Sequence, residues 1–225
     1  MSAGPSASRT ALLAGASGLV GREILDLLLA DPGVAHVHAL ARRPVPRAHL
    51  KLTQHVVDFR SLPALPGVDE AYLALGTTIK VAGSQAAFRA VDFDANLAVA
   101  QAARKGGARR LGLVSAMGAN ARSSVFYNRV KGELEDALAT LGFRALVIAR
   151  PSFLVGDREA LGQPLRTGEK LALRVSRALG PLVPANLRAI AARDVAAALV
   201  RQVPLAEGRW ILSSGQMQQA AAGLH

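Results

Sequence analysis

Short apolar runs alternate with longer amphipathic stretches along the chain. "TALLAG" (10–15) is strand-like and leads into "LVGREILDLLLAD" (19–31), whose apolar positions recur at helical spacing. "HVHALA" (36–41), "QHVVDF" (54–59) and "EAYLALG" (70–76) are further strand candidates. A long alanine-rich helix is expected over 84–105, then a strand "RRLGLVSA" (109–116), a helix across 124–141 and a strand "RALVIAR" (144–150). The strand candidates lack polar alternation, as strands do when helices cover both faces of a sheet. The pattern predicts an α/β protein: a doubly wound, mostly parallel sheet of βαβ units with helices on both faces.

After Pro151 the rhythm changes. Glycines and prolines interrupt 151–190, with one helix expected near 168–179. "RAIAARDVAAALVRQV" (188–203) predicts a short strand entering a helix, and "RWILSSG" (209–215) a last strand. Such an irregular C-terminal third is where a doubly wound protein builds its substrate pocket. One domain is expected over 9–225, with a flexible leader at 1–8 and pocket elements in 151–190.

Composition narrows the function classes. The chain has 225 residues, of which 51% are hydrophobic and 19% charged, and this suits one large core. Its first apolar segment is short and runs into a glycine-rich turn, so it reads as a strand and not as a signal peptide. No apolar run reaches the roughly 18 residues of a membrane span. The absence of cysteine excludes disulfides, thiol nucleophiles and thiolate metal sites. It also fits a reducing compartment, and a cytoplasmic location is expected. None of the five histidines sits at a zinc-binding spacing, and His36 and His38 read as two ordinary strand residues. The net charge of +11 comes from 22 arginines and 5 lysines, spread with no run longer than two. With aromatics at 4%, a base-stacking platform is poorly supplied, and no nucleic-acid partner is expected. The expected partner is a small-molecule substrate, and the expected state is a monomer or homodimer.

The first strand ends in "GASGLVG", with Gly15, Gly18 and Gly21 spaced G-x-x-G-x-x-G. Gly15 permits a tight turn out of the strand. Gly18 lets backbone N–H groups approach a pyrophosphate, and Gly21 lets the new helix pack close to the sheet. Ser17, Leu19 and Val20 complete the loop and the first helical turn, where unpaired N–H donors face an anion. Together they predict a Rossmann-type dinucleotide site. NAD sites place an acid about 20 residues further on, against the ribose 2′-hydroxyl. Here that position holds Arg42, followed by Arg43, and no Asp or Glu lies between Asp31 and Asp58. A guanidinium forks onto a 2′-phosphate that a carboxylate would repel, so NADP(H) is expected over NAD(H). The alternative is a pair of solvated loop arginines. Asp58 is expected at the end of the third strand, as an acceptor for the adenine amine or as a helix cap. Leu75, Gly76 and Thr77 end the fourth strand and could line the adenosine.

The fifth strand ends at Ser115, with Tyr127 12 residues later and Lys131 4 beyond that. Residues four apart share a helix face. An apolar stripe of Phe126, Val130, Leu134, Ala137 and Leu141 would face the sheet, with Tyr127 and Lys131 one step round from it. Alternatively Tyr127 is a packing residue and Lys131 pairs with Glu135. The set resembles the short-chain dehydrogenase/reductase superfamily: the glycine turn, a Ser on strand five, Tyr-x-x-x-Lys on the next helix, and "RPSFLVGDRE" after strand six. "LGTTIKVAGSQAAFRAVDFDAN", "VSAMGAN" and "FYNRVKGELEDAL" are similar to its atypical branch, the Tat-interactive-protein-like oxidoreductases and their bacterial relatives. The resemblance covers 9–215 and implies roles. Tyr127 would be the general acid/base. Lys131 would hold the nicotinamide ribose and lower the phenol's pKa from about 10. Ser115 would hydrogen-bond the substrate oxygen, with Asn120, Ser123 and Ser124 as rivals. Pro151, Ser152 and Phe153 would lie near the nicotinamide. It implies a reductase or dehydrogenase of a small carbonyl or alcohol substrate; some relatives act instead as cofactor-binding regulators. Arg158 and Arg166 hint at an anionic substrate.

Overall fold

A computed structural model describes residues 8–155 and 184–222. The helix expected at 168–179, Arg158, Arg166, nearly all of the expected leader and most of the expected pocket region lie outside these residues. Seven strands form one sheet: β1 (Arg9–Ala14), β2 (Val34–Ala41), β3 (Leu52–Val56), β4 (Glu70–Leu73), β5 (Arg110–Val114), β6 (Ala145–Arg150) and β9 (Gly208–Ser213). Their order is β3-β2-β1-β4-β5-β6-β9, and every neighbouring pair is parallel. A separate two-stranded ribbon joins β7 (Leu154–Val155) to β8 (Ile190–Ala191). Strand order reverses between β1 and β4, which puts the switch point at their carboxyl ends.

Both faces are covered, as the missing polar alternation predicts. Ala11 and Leu13 of β1 point into one core with α1 (Leu19–Ala30) and α6 (Ala192–Gln202), through Ile24, Leu28, Val195 and Leu199. Leu12 and Ala14 point into the other, with Leu111 and Leu113 of β5. There α4 (Asn96–Lys105) adds Val99 and Ala103, and α5 (Phe126–Ala139) adds Leu134 and Leu138.

Two elements depart from the sequence pattern. The long helix expected over 84–105 is broken into α3 (Gln85–Arg89), a π-helical turn (Ala90–Ala95) and α4. A short α2 (Ile79–Ala82), capped by Thr78, precedes it. The cause of the break is Asn96, whose buried amide donates to the carbonyls of Leu75, Val91 and Asp92 at 3.2 Å each. A side chain that takes carbonyls of the preceding turn disturbs the regular ladder. At the other end, the last strand stops at Ser213 and the chain continues as α7 (Ser214–Ala222). Ser213 N–H donates to Gln216 Oε1 at 2.8 Å, and Gln216 N–H to Ser213 Oγ at 3.4 Å, a reciprocal capping box.

At the amino edge, buried Glu70 accepts from Arg9 Nε and from the Tyr72 hydroxyl, each at 3.0 Å. Burial, and then the Glu70 charge, push the Tyr72 phenol well above its ordinary value. The native state therefore keeps its phenolic proton at a pH where the unfolded chain releases it. Stability is full below about pH 10 and falls as pH rises beyond it. Denaturant titrations from pH 8 upward should show this decline, and Tyr72→Phe should flatten it.

Candidate cofactor and proton-transfer site

At the end of β1 the chain turns at Gly15 with φ +96°, a region that favours glycine. A β-carbon there would lie 2.5 Å from the Ala74 backbone, and one on Gly21 only 2.0 Å from the Gly15 carbonyl oxygen. Both glycines are therefore demanded by packing. Gly18 is different: its nearest obstruction is 3.3 Å away, and it stands at the N-cap of α1 with no side chain capping the helix. The first-turn N–H groups are left for an anion. Ser17 is exposed, Leu19 half-buried and Val20 buried beside them.

Arg42 and Arg43 follow β2 directly and are exposed. Among the described residues, neither has an acidic partner. Asp58 lies beyond the end of β3, in a turn in which it accepts from the Arg60 backbone and guanidinium. No helix starts there, so the helix-cap reading is corrected. The side-chain bond from Arg60, ahead of its backbone bond, holds the carboxyl below its usual value.

Leu75, Gly76 and Thr77 leave β4 and are pinned from below. Leu75 carbonyl accepts from Asn96, and Thr77 N–H donates to Asp92 Oδ2 at 2.8 Å. Asp92 is fully buried in the π turn, and its other oxygen lies 2.8 Å from Lys131 Nζ. Lys131 is itself buried on α5. Burial pulls its ammonium down, but Asp92, and after it Tyr127, more than offset this and hold it above its usual value. The alternative pairing of Lys131 with Glu135 does not form. Tyr127 is half-buried, its ring 5.5 Å from that of Phe88, and among the described residues nothing hydrogen-bonds its hydroxyl. Asp92 and Asn96 are the residues that sequence reasoning missed. Their one signal was polar positions on the inward side of a helix expected to be regular.

Ser115 is buried, and its hydroxyl donates to Glu135 Oε1 at 2.6 Å, one turn beyond Lys131. Glu135 also accepts from Arg150 Nε at 3.0 Å, and Arg209 stands 3.5 Å away. Beside this cluster is a polar cleft of about 270 Å³ whose walls include Asn120, Gly132 and Asp136 but not Tyr127. Of the rivals, Asn120 accepts from Arg122 N–H, Ser123 Oγ from Val125 N–H, and the Ser124 carbonyl from Arg129. Gly132 is needed here, since a β-carbon would meet the Asn120 carbonyl carbon at 2.2 Å. Past β6, Pro151 is buried and Phe153 half exposed. Three bonds fix this stretch: Met117 N–H to Pro151 carbonyl at 2.9 Å, Ser152 N–H to Ser214 Oγ at 2.7 Å, and Ile190 N–H to Phe153 carbonyl at 2.9 Å.

Residues 15–204 match the NAD(P)H-binding family. The chain belongs to that family. Within it, the chain is an atypical short-chain dehydrogenase/reductase protein, as its relatives attest. Protein FMP52, mitochondrial, of Coccidioides immitis is 36% identical over 67% of this chain and 68% of its own. Protein HTATIP2 of Rattus norvegicus is 36% identical over 73% of this chain and 69% of its own. Among solved structures, MoeE5 in complex with UDP-glucose and NAD superposes with a TM-score of 0.67 at 17% identity, over 96% of this chain and 81% of that one. The Bordetella bronchiseptica enzyme WbmH in complex with NAD+ gives 0.67 at 17%, over 96% and 80%. At such identities these two attest the Rossmann fold. The expected cytoplasmic location is overturned: the FMP52 relatives, from Coccidioides immitis to Candida albicans, are named mitochondrial. Among the described residues, no helix is long and apolar enough to cross a membrane.

The glycine loop yields a graded prediction. Gly21→Ala must displace backbone and should cost about 1–3 kcal/mol or more. Gly18→Ala meets only a tight contact, so it should leave the unfolding midpoint nearly unchanged yet abolish any thermal shift given by NAD(H) or NADP(H). Thermal denaturation of both variants, with and without cofactor, checks the pair.

Proposed function

We propose that the protein is an NADP(H)-dependent oxidoreductase acting on a small carbonyl or alcohol substrate through Tyr127 and Lys131. The observation that carries the reading is the pairing of an uncapped, glycine-lined helix N-terminus with a half-buried phenol one turn from a buried ammonium. The cofactor, when bound, supplies or accepts the hydride. Gly18 and the first-turn N–H groups of α1 hold its diphosphate, and Arg42 and Arg43 meet the 2′-phosphate. Tyr127 gives its phenolic proton to the substrate oxygen as negative charge develops there, or takes it back in the reverse direction. Lys131 offers the phenolate a nearby positive charge. Leu75, Gly76 and Thr77 line the adenosine side, Asp58 stands within the same edge, and Pro151 and Phe153 flank the ring end. Ser115 is proposed to polarise the substrate oxygen only after releasing Glu135.

That last bond favours a second reading: an NADP(H)-binding regulatory or redox-sensing protein without turnover. With the Ser115 hydroxyl donating to a buried carboxylate, no hydrogen bond among the described residues aligns the Tyr127 hydroxyl. Two measurements test the proposals. Ligand at about 100 times its Kd adds roughly 2.7 kcal/mol, so NADPH should raise the melting temperature at concentrations where NADH does not. Arg42→Ala/Arg43→Ala should erase the difference, and equal shifts in the parent chain would remove the arginine argument. In a carbonyl-substrate panel, Tyr127→Phe should lose turnover while keeping NADPH affinity. NADPH binding with no oxidation of cofactor by the parent chain across the panel would select the regulator.

A further inference from the structure

Asp92 has no part in the chemistry described so far, yet it is buried between the β4 loop and Lys131. Its carboxylate is fully buried, one oxygen 2.8 Å from Lys131 Nζ and the other receiving Thr77 N–H at 2.8 Å. The segment that carries it is a π-helical turn, an irregularity that places the carboxylate against both the β4 loop and α5. Gly76 completes the enclosure. A β-carbon there would stand 3.5 Å from Asp92 Oδ1 and 3.9 Å from Lys131 Nζ, so this residue lies directly over the pair.

The charges around the pair are few. From α5 itself come Tyr127 and Glu135, and Glu135 is engaged by Ser115, Arg150 and Arg209. From α3, Arg89 is paired with Glu133. Lys131 thus meets Tyr127 as one half of a neutral pair and not as a free cation. A lone ammonium beside a phenol favours the phenolate strongly, and a compensated one does so weakly.

We propose that Asp92 is a positioning residue that aims Lys131 and tempers its pull on the Tyr127 proton. The carboxylate anchors the ammonium as a close ion pair, 2.8 Å from Oδ1 to Nζ, and leaves its remaining hydrogens for Tyr127 and the ribose side. By neutralising the ammonium it weakens the pull of Lys131 on the Tyr127 proton. The role in turnover rests on the oxidoreductase reading, but the electrostatic coupling does not.

The chain has two tyrosines, which makes the coupling measurable directly. Tyr72 is fully buried with its phenol held well above the ordinary value, which sets its signal apart. In protein labelled with ¹³Cζ-tyrosine, the Tyr127 signal, assigned by its loss in Tyr127→Phe, is followed against pH by NMR without cofactor. Asp92→Asn keeps an acceptor for Thr77 N–H and frees the lysine charge. The Tyr127 midpoint should fall by about one unit, a roughly tenfold easier proton release. In Asp92→Asn/Lys131→Met, where both charges are gone, the midpoint should return towards the parent value. If Asp92→Asn does not fold, Asp92→Ser carries the same measurement. An unmoved or raised midpoint in the single variant overturns the proposal, as does a double variant that stays low. A lowered midpoint in a chain that NADPH does not stabilise would sink the oxidoreductase reading and leave the coupling standing. With a productive carbonyl substrate, the alkaline limb of the pH–rate profile should move with the NMR midpoint, which a purely structural loss would not produce.

Discussion

The site depends on a place where three backbone segments touch with no room for a β-carbon. Gly21 at the start of α1 lies against the Gly15 carbonyl, and Gly15 lies against Ala74 at the end of β4. This contact fixes the angle at which α1 leaves the sheet, and so where its first N–H groups point. It also fixes the β4 end, because Ala74 N–H donates to the Ala14 carbonyl in the same few ångströms. The contacts then continue. Leu75 is held by Asn96, Thr77 by Asp92, and Asp92 by Lys131. An unbroken run of short contacts ties the glycine loop to the helix carrying the candidate proton donor. A shift at the loop would reach Lys131 through rigid groups.

How much of this was legible in the sequence depends on the range of the interaction that decides each feature. The sheet, its parallel sense and both helical layers follow from apolar patterning, because burial acts on every strand residue alike. The glycine turn was legible because positive φ and close backbone approach admit one residue type. The capping box Ser213–Gln216 was a local signal in "SSGQ" that went unread under the pull of a strand pattern. The π turn is another matter. Nothing within 84–105 announces it, because it depends on Asn96 reaching the carbonyl of Leu75, 21 residues away. The partner of Lys131 was missed for the same reason. Local spacing offered Glu135, and the fold supplied Asp92 from another element while giving Glu135 to Ser115 and Arg150. Sequence spacing tells which residues share a helix face, but not what that face meets.

The same preference for tertiary over local pairing shapes the protein's field. The chain carries 16 acidic residues against 27 basic ones. Among the described residues, the acids Glu70, Asp92 and Glu135 are buried, and each is set against a cation: Arg9, Lys131 and Arg150. A buried carboxylate needs such a partner or a large desolvation cost goes unmet. Acids spent inside cannot temper the arginines outside. Arg42 and Arg43 at the end of β2 therefore stand in a surface where positive charge already predominates, and the field extends outward on the scale of a Debye length, about 8–10 Å at ordinary salt. Such a field draws anions in general towards this edge of the sheet. The core's demand for carboxylates and the surface's excess of positive charge are thus two sides of one charge distribution.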